Sequence, residues 1–399
     1  MKSKILVVGG GITGLVAAYR LLQKKYQVTL VEKNESLGGL LGSFKINNTY
    51  LEKTYHHIFK TDKEIIALIK ELGLEKKLKW HESKTALFYE GTIYPFAGAI
   101  DLLKFKPLNL IDKLRLGLVK IYLEKENNWQ KFEDVLAYRW MKKWCGSNAY
   151  KVVWEPLLKG KFNNRYRDVS MAWMWARIHT RANSSEDGKE LLGYMEGGFQ
   201  LIIDELEKRI KKMGGIIKKN CELRITNYEL KKYDKVISTA PLDKVDYLGA
   251  VTMVFTSKQN LSPYYWHNIN DLNSPFLAFI QHSNLMGKKN YGTNVYYLGT
   301  YGDSEQNIEG WFKYLKNIFP EFEEKLVDRK WIFRFKHAQH IVDTNYQLRI
   351  KNYKSKNSKI IYANFAQIYP EDRGVNFAVR EGKRAADAIL QDQKKDFWG

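Results

Sequence analysis

Cysteine is nearly absent: only Cys145 and Cys221 occur in 399 residues. Two thiols cannot build a disulfide framework, and no C-x-x-C pair exists for metal or redox work. A reducing, cytoplasmic setting is the natural expectation, with no metal site. Long apolar runs are missing too. No stretch of about 18 apolar residues occurs, so no transmembrane helix is expected. The apolar run that follows Lys2 and Lys4 lacks the small-residue cleavage site of a secretory signal. There is no internal repeat and no low-complexity tract. Helix-turn-helix, zinc-finger and RNA-binding signatures are also lacking, which removes nucleic acid from the expected partners. Acidic side chains are the scarcer charge, 44 against 65 basic ones, a net of +21. Part of that excess is lysine spread along the whole chain. The rest leaves a membrane surface or an anionic small-molecule substrate open.

What is present begins at once, in KILVVGGGITGLVAAYRLL. Ile5, Leu6, Val7 and Val8 are an apolar run suited to a buried parallel strand. Gly9, Gly11 and Gly14 follow with G-x-G-x-x-G spacing. Leu15, Ala17, Ala18, Leu21 and Leu22 then recur at helical intervals. Gly9 permits the tight turn, Gly11 lets backbone approach a pyrophosphate, and Gly14 lets the helix pack close to the strand. The helix start offers N–H groups and partial positive charge to phosphates. A second strand, QVTLV, leads to Glu32, the acidic acceptor that a ribose 2′-OH needs. The unit is that of a dinucleotide-binding domain.

Hydrophobic residues make up 44 % of the chain, enough for a real core, and its length suits two domains or one with large insertions. ESLGGLLGSFKINNTYLEKTYHHIF reads as a glycine-rich loop, and residues 62–73 as a helix. KTALFYEGTIYPF reads as a hairpin turning at Glu90 and Gly91. Residues 98–150 look helical, interrupted at Pro107. YMEGGFQLIIDELEKRIKKMGG has helical spacing up to Gly214 and Gly215. IIKKNCELRI and YDKVISTAPL read as strands, as do several stretches across 250–301, and a helix is expected near 307–318. KIIYANFAQIYPEDRGVNFAVREGKRAADAIL is again strand, glycine-containing turn, helix. The two ends mirror each other. A nucleotide domain built from 1–75, 194–248 and 356–399 is therefore expected, with 76–193 and 249–355 as a substrate-binding domain.

The opening glycines, Glu32, the pair Gly38 and Gly39, YMEGGFQLI, DKVISTAPL and RGVNFAVREGKRAA together resemble the FAD-dependent amine oxidase family, which includes protoporphyrinogen oxidases and phytoene desaturases. The resemblance implies an α/β fold: a Rossmann-like FAD-binding domain assembled from discontinuous segments, plus an inserted α+β substrate domain. It implies extended FAD, with Gly9, Gly11 and Gly14 at the pyrophosphate, Glu32 at the adenosine ribose, Leu223 near the adenine and Gly39 among the cofactor-binding residues. Gly374, Val375 and Asn376 would point N–H groups at the flavin O2 edge. Many relatives have Arg where this chain has Leu40, so the pyrophosphate needs another cation, for which Arg373 is a candidate. No second G-x-G-x-x-G occurs in mid-chain for a separate nicotinamide domain. No cysteine follows Cys221, so non-covalent flavin is expected.

TYHHIFKTD is similar to a segment of UDP-galactopyranose mutases in which a histidine lies beside the flavin. That match makes His57 the flavin-side residue, tuning redox state or moving a proton. Lys60 stands where those enzymes usually carry a second histidine. WMWARIHTR gathers Trp173, Trp175, Arg177 and Arg181. In a strand Trp173, Trp175 and Arg177 share a face; in a helix Arg177 and Arg181 do. Trp175, Arg177 and Arg181 are candidates for gripping an anionic substrate, against the alternative of aromatic core with structural arginines. FAGAIDLLKFKPLNLIDKLRLGLVKIYLEK is basic and apolar, suited to a membrane interface or to an ordinary helical cap. The expected function is an FAD-dependent oxidoreductase passing a hydride from a small or lipophilic substrate, at a C–N or C–C bond, to flavin N5. A flavin-dependent nucleotide-sugar mutase and a non-catalytic flavin-binding module are the alternatives. The sequence leaves the oligomeric state open.

Overall fold

The computed structural model describes residues 3–182, 185–186, 189–222, 231–351, 353 and 359–396. Its first layer is a five-stranded, all-parallel sheet. The strand order is Ile216–Lys218, Gln27–Val31, Lys4–Val8, Lys235–Ser238 and Ile360–Tyr362. Lys4–Val8 is central, and Ile5, Leu6 and Val7 are all buried, as both faces of a covered parallel sheet require. The helix Ile12–Gln23 starts at Gly11, an extended N-cap residue. It stops where Lys25 takes φ +66°. Its residues Leu15, Val16, Ala17, Ala18 and Leu21 are fully buried. The helix Val375–Asp396 crosses it closely. A Cβ on Gly382 would lie 2.5 Å from the Thr13 carbonyl oxygen. That crossing requires glycine.

A seven-stranded sheet forms the second layer. Its order is Val327–His340, Tyr247–Ser257, Asn294–Gly302, Ala278–Gln281, Trp266–Ile269, Thr85–Tyr89 and Thr92–Pro95. The last two strands are the expected hairpin, turning through Glu90 and Gly91 with positive φ at both. The helices Leu110–Lys125, Ala137–Cys145, Glu155–Phe162 and Met171–Ala182 share a separate core around Met141, Leu158, Phe162 and Trp173.

Three expectations need correction. YMEGG is not helical. Tyr194 and Met195 end the strand Lys189–Met195, and the helix is Gln200–Lys212. Gly197 and Gly198 take φ +101° and +88°, which no α-helix accommodates. The glycine-rich stretch after Glu35 is not all loop. It holds the hairpin Ser43–Ile46 with Thr49–Glu52, and Ile58–Phe59 pairs with Lys189–Met195. The fourteen-residue strand Val327–His340 was not anticipated. All five parallel strands fall inside 1–75, 194–248 and 356–399. The strand Tyr247–Ser257 runs across the 248/249 boundary, and the sheet joining Ile58–Phe59 to Leu78–Glu82 takes strands from both sides of 75. Among the described residues, no helix is long and apolar enough to cross a membrane.

Candidate functional site

The glycine turn has three different jobs. Gly9 takes φ +103°, and its N–H donates to the Val31 carbonyl at 2.8 Å. A Cβ on Gly14 would stand 2.0 Å from the Gly9 carbonyl oxygen, so Gly14 sets the contact of helix and strand. A Cβ on Gly11 would meet nothing closer than the Gly38 carbonyl oxygen at 4.0 Å. Space therefore opens in front of the helix start, where the first N–H groups have no partner within the helix. Gly38 and Gly39, both with positive φ, brace this turn: the Gly38 N–H donates to the Gly10 carbonyl at 2.9 Å. Glu32 is buried at the end of its strand. Its Oε2 accepts the Gly10 N–H at 2.7 Å, and its Oε1 accepts both N–H groups of Asn34, backbone at 2.9 Å and side chain at 2.7 Å. The carboxylate thus ties the turn to its strand and keeps lone pairs for a ribose hydroxyl. Turn, open approach and acidic acceptor fit a dinucleotide.

Two helix starts meet nearby. Gly374 accepts the Ala378 N–H at 3.0 Å and so opens the helix that begins at Val375. The Asn376 side chain accepts the N–H groups of Glu64 and Ile65 at 2.9 and 3.2 Å, capping the helix Lys63–Glu71. Two partial positive charges therefore converge beside the loop that carries His57 and Thr61. His57 Nδ1 and Thr61 Oγ1 are buried without a hydrogen-bond partner in the protein. Such atoms await a ligand's polar groups. Burial, then the Arg181 charge, pushes the His57 pKa down to about 3, so its imidazole is neutral. It stands edge-on to Phe59 and Trp266, with centroids 5.0 and 6.2 Å away. His56 is turned to the Thr54 carbonyl, at 2.8 Å from Nδ1.

Next to this loop lies a group of cations, Lys161 buried and the arginines partly buried. WMWARIHTR is helical, so Arg177 and Arg181 share a face, one turn apart. Lys161 Nζ and Arg177 Nη1 both reach Asp372 Oδ2, at 2.5 and 2.8 Å, and the Trp173 indole N–H donates to Oδ1 at 3.3 Å. Arg373 donates to the Tyr301 hydroxyl at 2.6 Å and to Gln339 at 3.2 Å. Burial opposes the Asp372 charge, yet Lys161 and Arg177 outweigh it and hold the carboxyl well below its usual range. Burial pulls Lys161 down, and burial plus the Arg177 charge lowers Arg181 to about 10. A surface cleft of about 580 Å³ lined by Asp246, Tyr247, Asp303, Glu305, Lys336 and His337 shares none of these residues.

Glu52, at the end of the hairpin that leads to Tyr55 and His57, is fully buried. It accepts the Phe199 N–H at 2.7 Å and the Tyr194 hydroxyl. Burial dominates over these hydrogen bonds and raises its pKa from 4.5 to about 7. The native state therefore holds this proton more tightly than the unfolded chain. Stability contributed by the neutral acid is complete below pH 4.5 and drains as pH rises towards 7, by on the order of 3 kcal/mol. Glu52→Gln should remove most of that decline. Urea midpoints measured at pH 5 and pH 8 check it, and an unchanged difference would mean that Glu52 is ionised in the folded protein.

The structure thus brings His57, Arg177 and Arg181 together, with Gly374 following directly on Asp372 and Arg373. Trp175 lies apart from them: its indole N–H donates to the Glu126 carbonyl at 2.8 Å and its ring stacks on His179 at 4.7 Å. Tyr265, Tyr296 and Tyr297 are core residues. Leu223 lies outside the described residues. Sequence reasoning missed Lys161, Asp372, Tyr55 and Tyr301 as members of the group. Tyr55 and Asp372 stand inside or beside TYHHIFKTD and RGVNFAVREGKRAA, whereas Lys161 and Tyr301 stand in no motif singled out above.

The sequence profile described as "Flavin containing amine oxidoreductase" matches residues 12–280. Flavin-containing amine oxidase B of Rattus norvegicus is 24 % identical over 275 residues, 60 % of this chain and 50 % of that protein. The chain spans about half the length of the curated relatives it matches. A crystal structure of reduced UDP-galactopyranose mutase superposes with TM-score 0.77 at 16 % identity, over 98 % of this chain and 96 % of that one. A putrescine oxidase triple mutant does so with TM-score 0.75 at 14 % identity, over 98 % and 99 %. These structural likenesses establish the mixed α/β fold. The profile, matched over well more than half of the residues, places the chain in the flavin-containing amine oxidoreductase family.

Proposed function

We propose that this chain is an FAD-dependent oxidoreductase whose small or lipophilic substrate carries an anionic group. The oxidation would remove a hydride from a carbon of a C–N or C–C bond, with flavin N5 as its acceptor, and a proton from the substrate. The observation that carries this reading is a surplus, among the described residues, of buried and partly buried positive charge. Among the described residues, Lys161, Arg177, Arg181 and Arg373 act on two carboxylates, Asp372 and Glu190, beside the His57 loop. Buried charges need compensation, and a bound anion supplies it.

FAD, bound non-covalently, would supply the two-electron acceptor. This chain's residues do the rest. The backbone at Gly11 and the first turn of its helix bind the pyrophosphate, and Glu32 accepts from the ribose. The helix starts at Gly374 and Lys63 favour negative charge next to them. His57, neutral, offers a hydrogen bond rather than a positive charge. Arg177 and Arg181 would orient the anion and so hold the donor carbon towards its acceptor. Tyr55 and Trp266, edge to face at 4.8 Å, wall the loop against water.

The purified protein should be yellow and release FAD on denaturation. Amines, porphyrinogens, polyprenyl compounds and nucleotide sugars, tested under anaerobic conditions, should include a class that bleaches it. Arg177→Met should then raise KM for that substrate by roughly 10–150-fold, the loss of one hydrogen bond to a charged group. A protein that stays colourless after incubation with FAD overturns the reading. A second reading, a nucleotide-sugar mutase, is favoured by two arginines one turn apart, which suit a diphosphate. Turnover only with prereduced flavin and a nucleotide sugar would select it.

A further inference from the structure

The helix Leu110–Lys125 has two apolar faces, and the fold leaves one largely open, with only Tyr122 at its edge stacked on Trp140 at 6.2 Å and bonded by Lys131. Leu116, Val119 and Leu123 are buried against the helical core, with Asp112 beside them. On the other side Leu110, Ile111, Leu114, Leu118, Ile121 and Tyr122 are 44–68 % exposed. At 3.6 residues per turn these six fill one arc of about 120°. Ile100 and Leu103 on the short helix Ala99–Lys104 and Trp144 at the end of Ala137–Cys145 are exposed to a similar degree. Nine of the fifteen large exposed apolar side chains among the described residues therefore fall in this one region.

Hydrogen bonds join the three helices into one surface. Lys113 Nζ donates to the Leu103 carbonyl at 2.7 Å, and Arg115 Nε to the Trp144 carbonyl at 2.9 Å. The border is basic: Lys104, Lys106, Lys125, Lys142 and Lys143 are exposed. The acids of the region are largely occupied. Asp101 accepts backbone N–H groups at the start of its helix, Asp112 is buried and bonded to Asn148, and Glu124 pairs with Lys120.

We infer that this face docks on an anionic lipid bilayer, its apolar stripe in the leaflet and its lysines at the headgroups. Patches of this kind on soluble proteins mark interaction surfaces. Charge decides the occupant. In a two-fold dimer through this face the same lysines would oppose one another, whereas an anionic leaflet complements them. A helix lying in the interface buries its apolar side about 5–10 Å deep. The inner side of the same helix contacts Met171–Ala182, where His179 Nδ1 lies 3.1 Å from the Leu123 carbonyl. Docking would hold the arginine-bearing helix one helix layer above the lipid.

The intact protein should sediment with phosphatidylcholine vesicles that contain phosphatidylglycerol, and progressively less so as salt rises. Leu114→Ser with Leu118→Ser should weaken binding by at least about 100-fold, roughly tenfold for each leucine withdrawn. Lys142→Gln with Lys143→Gln, at the rim, should weaken it about 25-fold, near fivefold per lysine. Flavin content and the urea midpoint should stay unchanged in both. Absence of binding at low salt overturns the inference, as does undiminished binding by both variants. It is equally overturned by a lipid-free dimer that the leucine variant converts to monomer, since the face then serves a second copy.

Discussion

Gly11→Leu should strip the protein of flavin and leave it folded. The reason is the asymmetry between neighbouring glycines. A side chain at Gly11 enters open space, with its Cβ no closer than 4.0 Å to protein atoms. That space lies in front of the helix start, where phosphate oxygens must approach backbone N–H groups. A leucine there excludes the ligand without touching the core. Affinity for FAD should fall by more than about 100-fold, near 3 kcal/mol, while the urea midpoint of the apoprotein stays put. Gly14→Ala should do the reverse. Its Cβ would sit 2.0 Å from the Gly9 carbonyl oxygen, a backbone atom that cannot swing aside. The helix must lift from the strand, at about 3 kcal/mol or more. The ratio of flavin to protein absorbance and denaturant unfolding separate the two. Full flavin occupancy in the leucine variant would remove the turn as the phosphate site.

Asp372→Asn should lower stability by about 3–5 kcal/mol, the usual result of removing one partner from a buried ionic group. The carboxylate serves Lys161 and Arg177 on one oxygen and the Trp173 indole on the other. Without it two cations are left facing each other. Lys161 gives way first, because burial already draws its proton off and Asp372 is what holds it there. Lys161→Met added to Asp372→Asn should therefore recover much of the loss. Urea unfolding of the two single variants and the double variant forms a cycle, and a coupling near zero would show that the carboxylate and the amine do not act on one another.

The opening unit was legible because everything that defines it is local. Glycine spacing, helical periodicity and the acid at residue 32 lie within one stretch of chain. The same local logic misread YMEGGFQLI, where helical spacing runs on through Gly197 and Gly198 although positive φ forbids it. Val327–His340 escaped notice for another reason. Trp331, Phe333 and Phe335 alternate properly, but Ile332 falls among Lys330, Arg334 and Lys336, so the strand reads as a charged loop. In the site, Arg177 and Arg181 could be found because one helical turn joins them. Lys161 and Asp372 could not, since they are 211 residues apart and meet only through packing. Trp175 carried the same composition signal as Trp173, yet only Trp173 faces Asp372.

The helix Ile12–Gln23 finds its cover in Val375–Asp396, and Lys235–Ser238 finds its outer neighbour in Ile360–Tyr362. A ribosome makes the first helix long before the one that covers it. At about 5–20 residues per second, the first glycine turn waits roughly 20–70 s for its covering helix. During that wait an apolar helical surface stands open at the tunnel exit. Nascent chains of this protein should therefore lean on chaperones until translation has passed residue 396, and messages truncated near residue 350 should yield aggregates rather than a smaller soluble product.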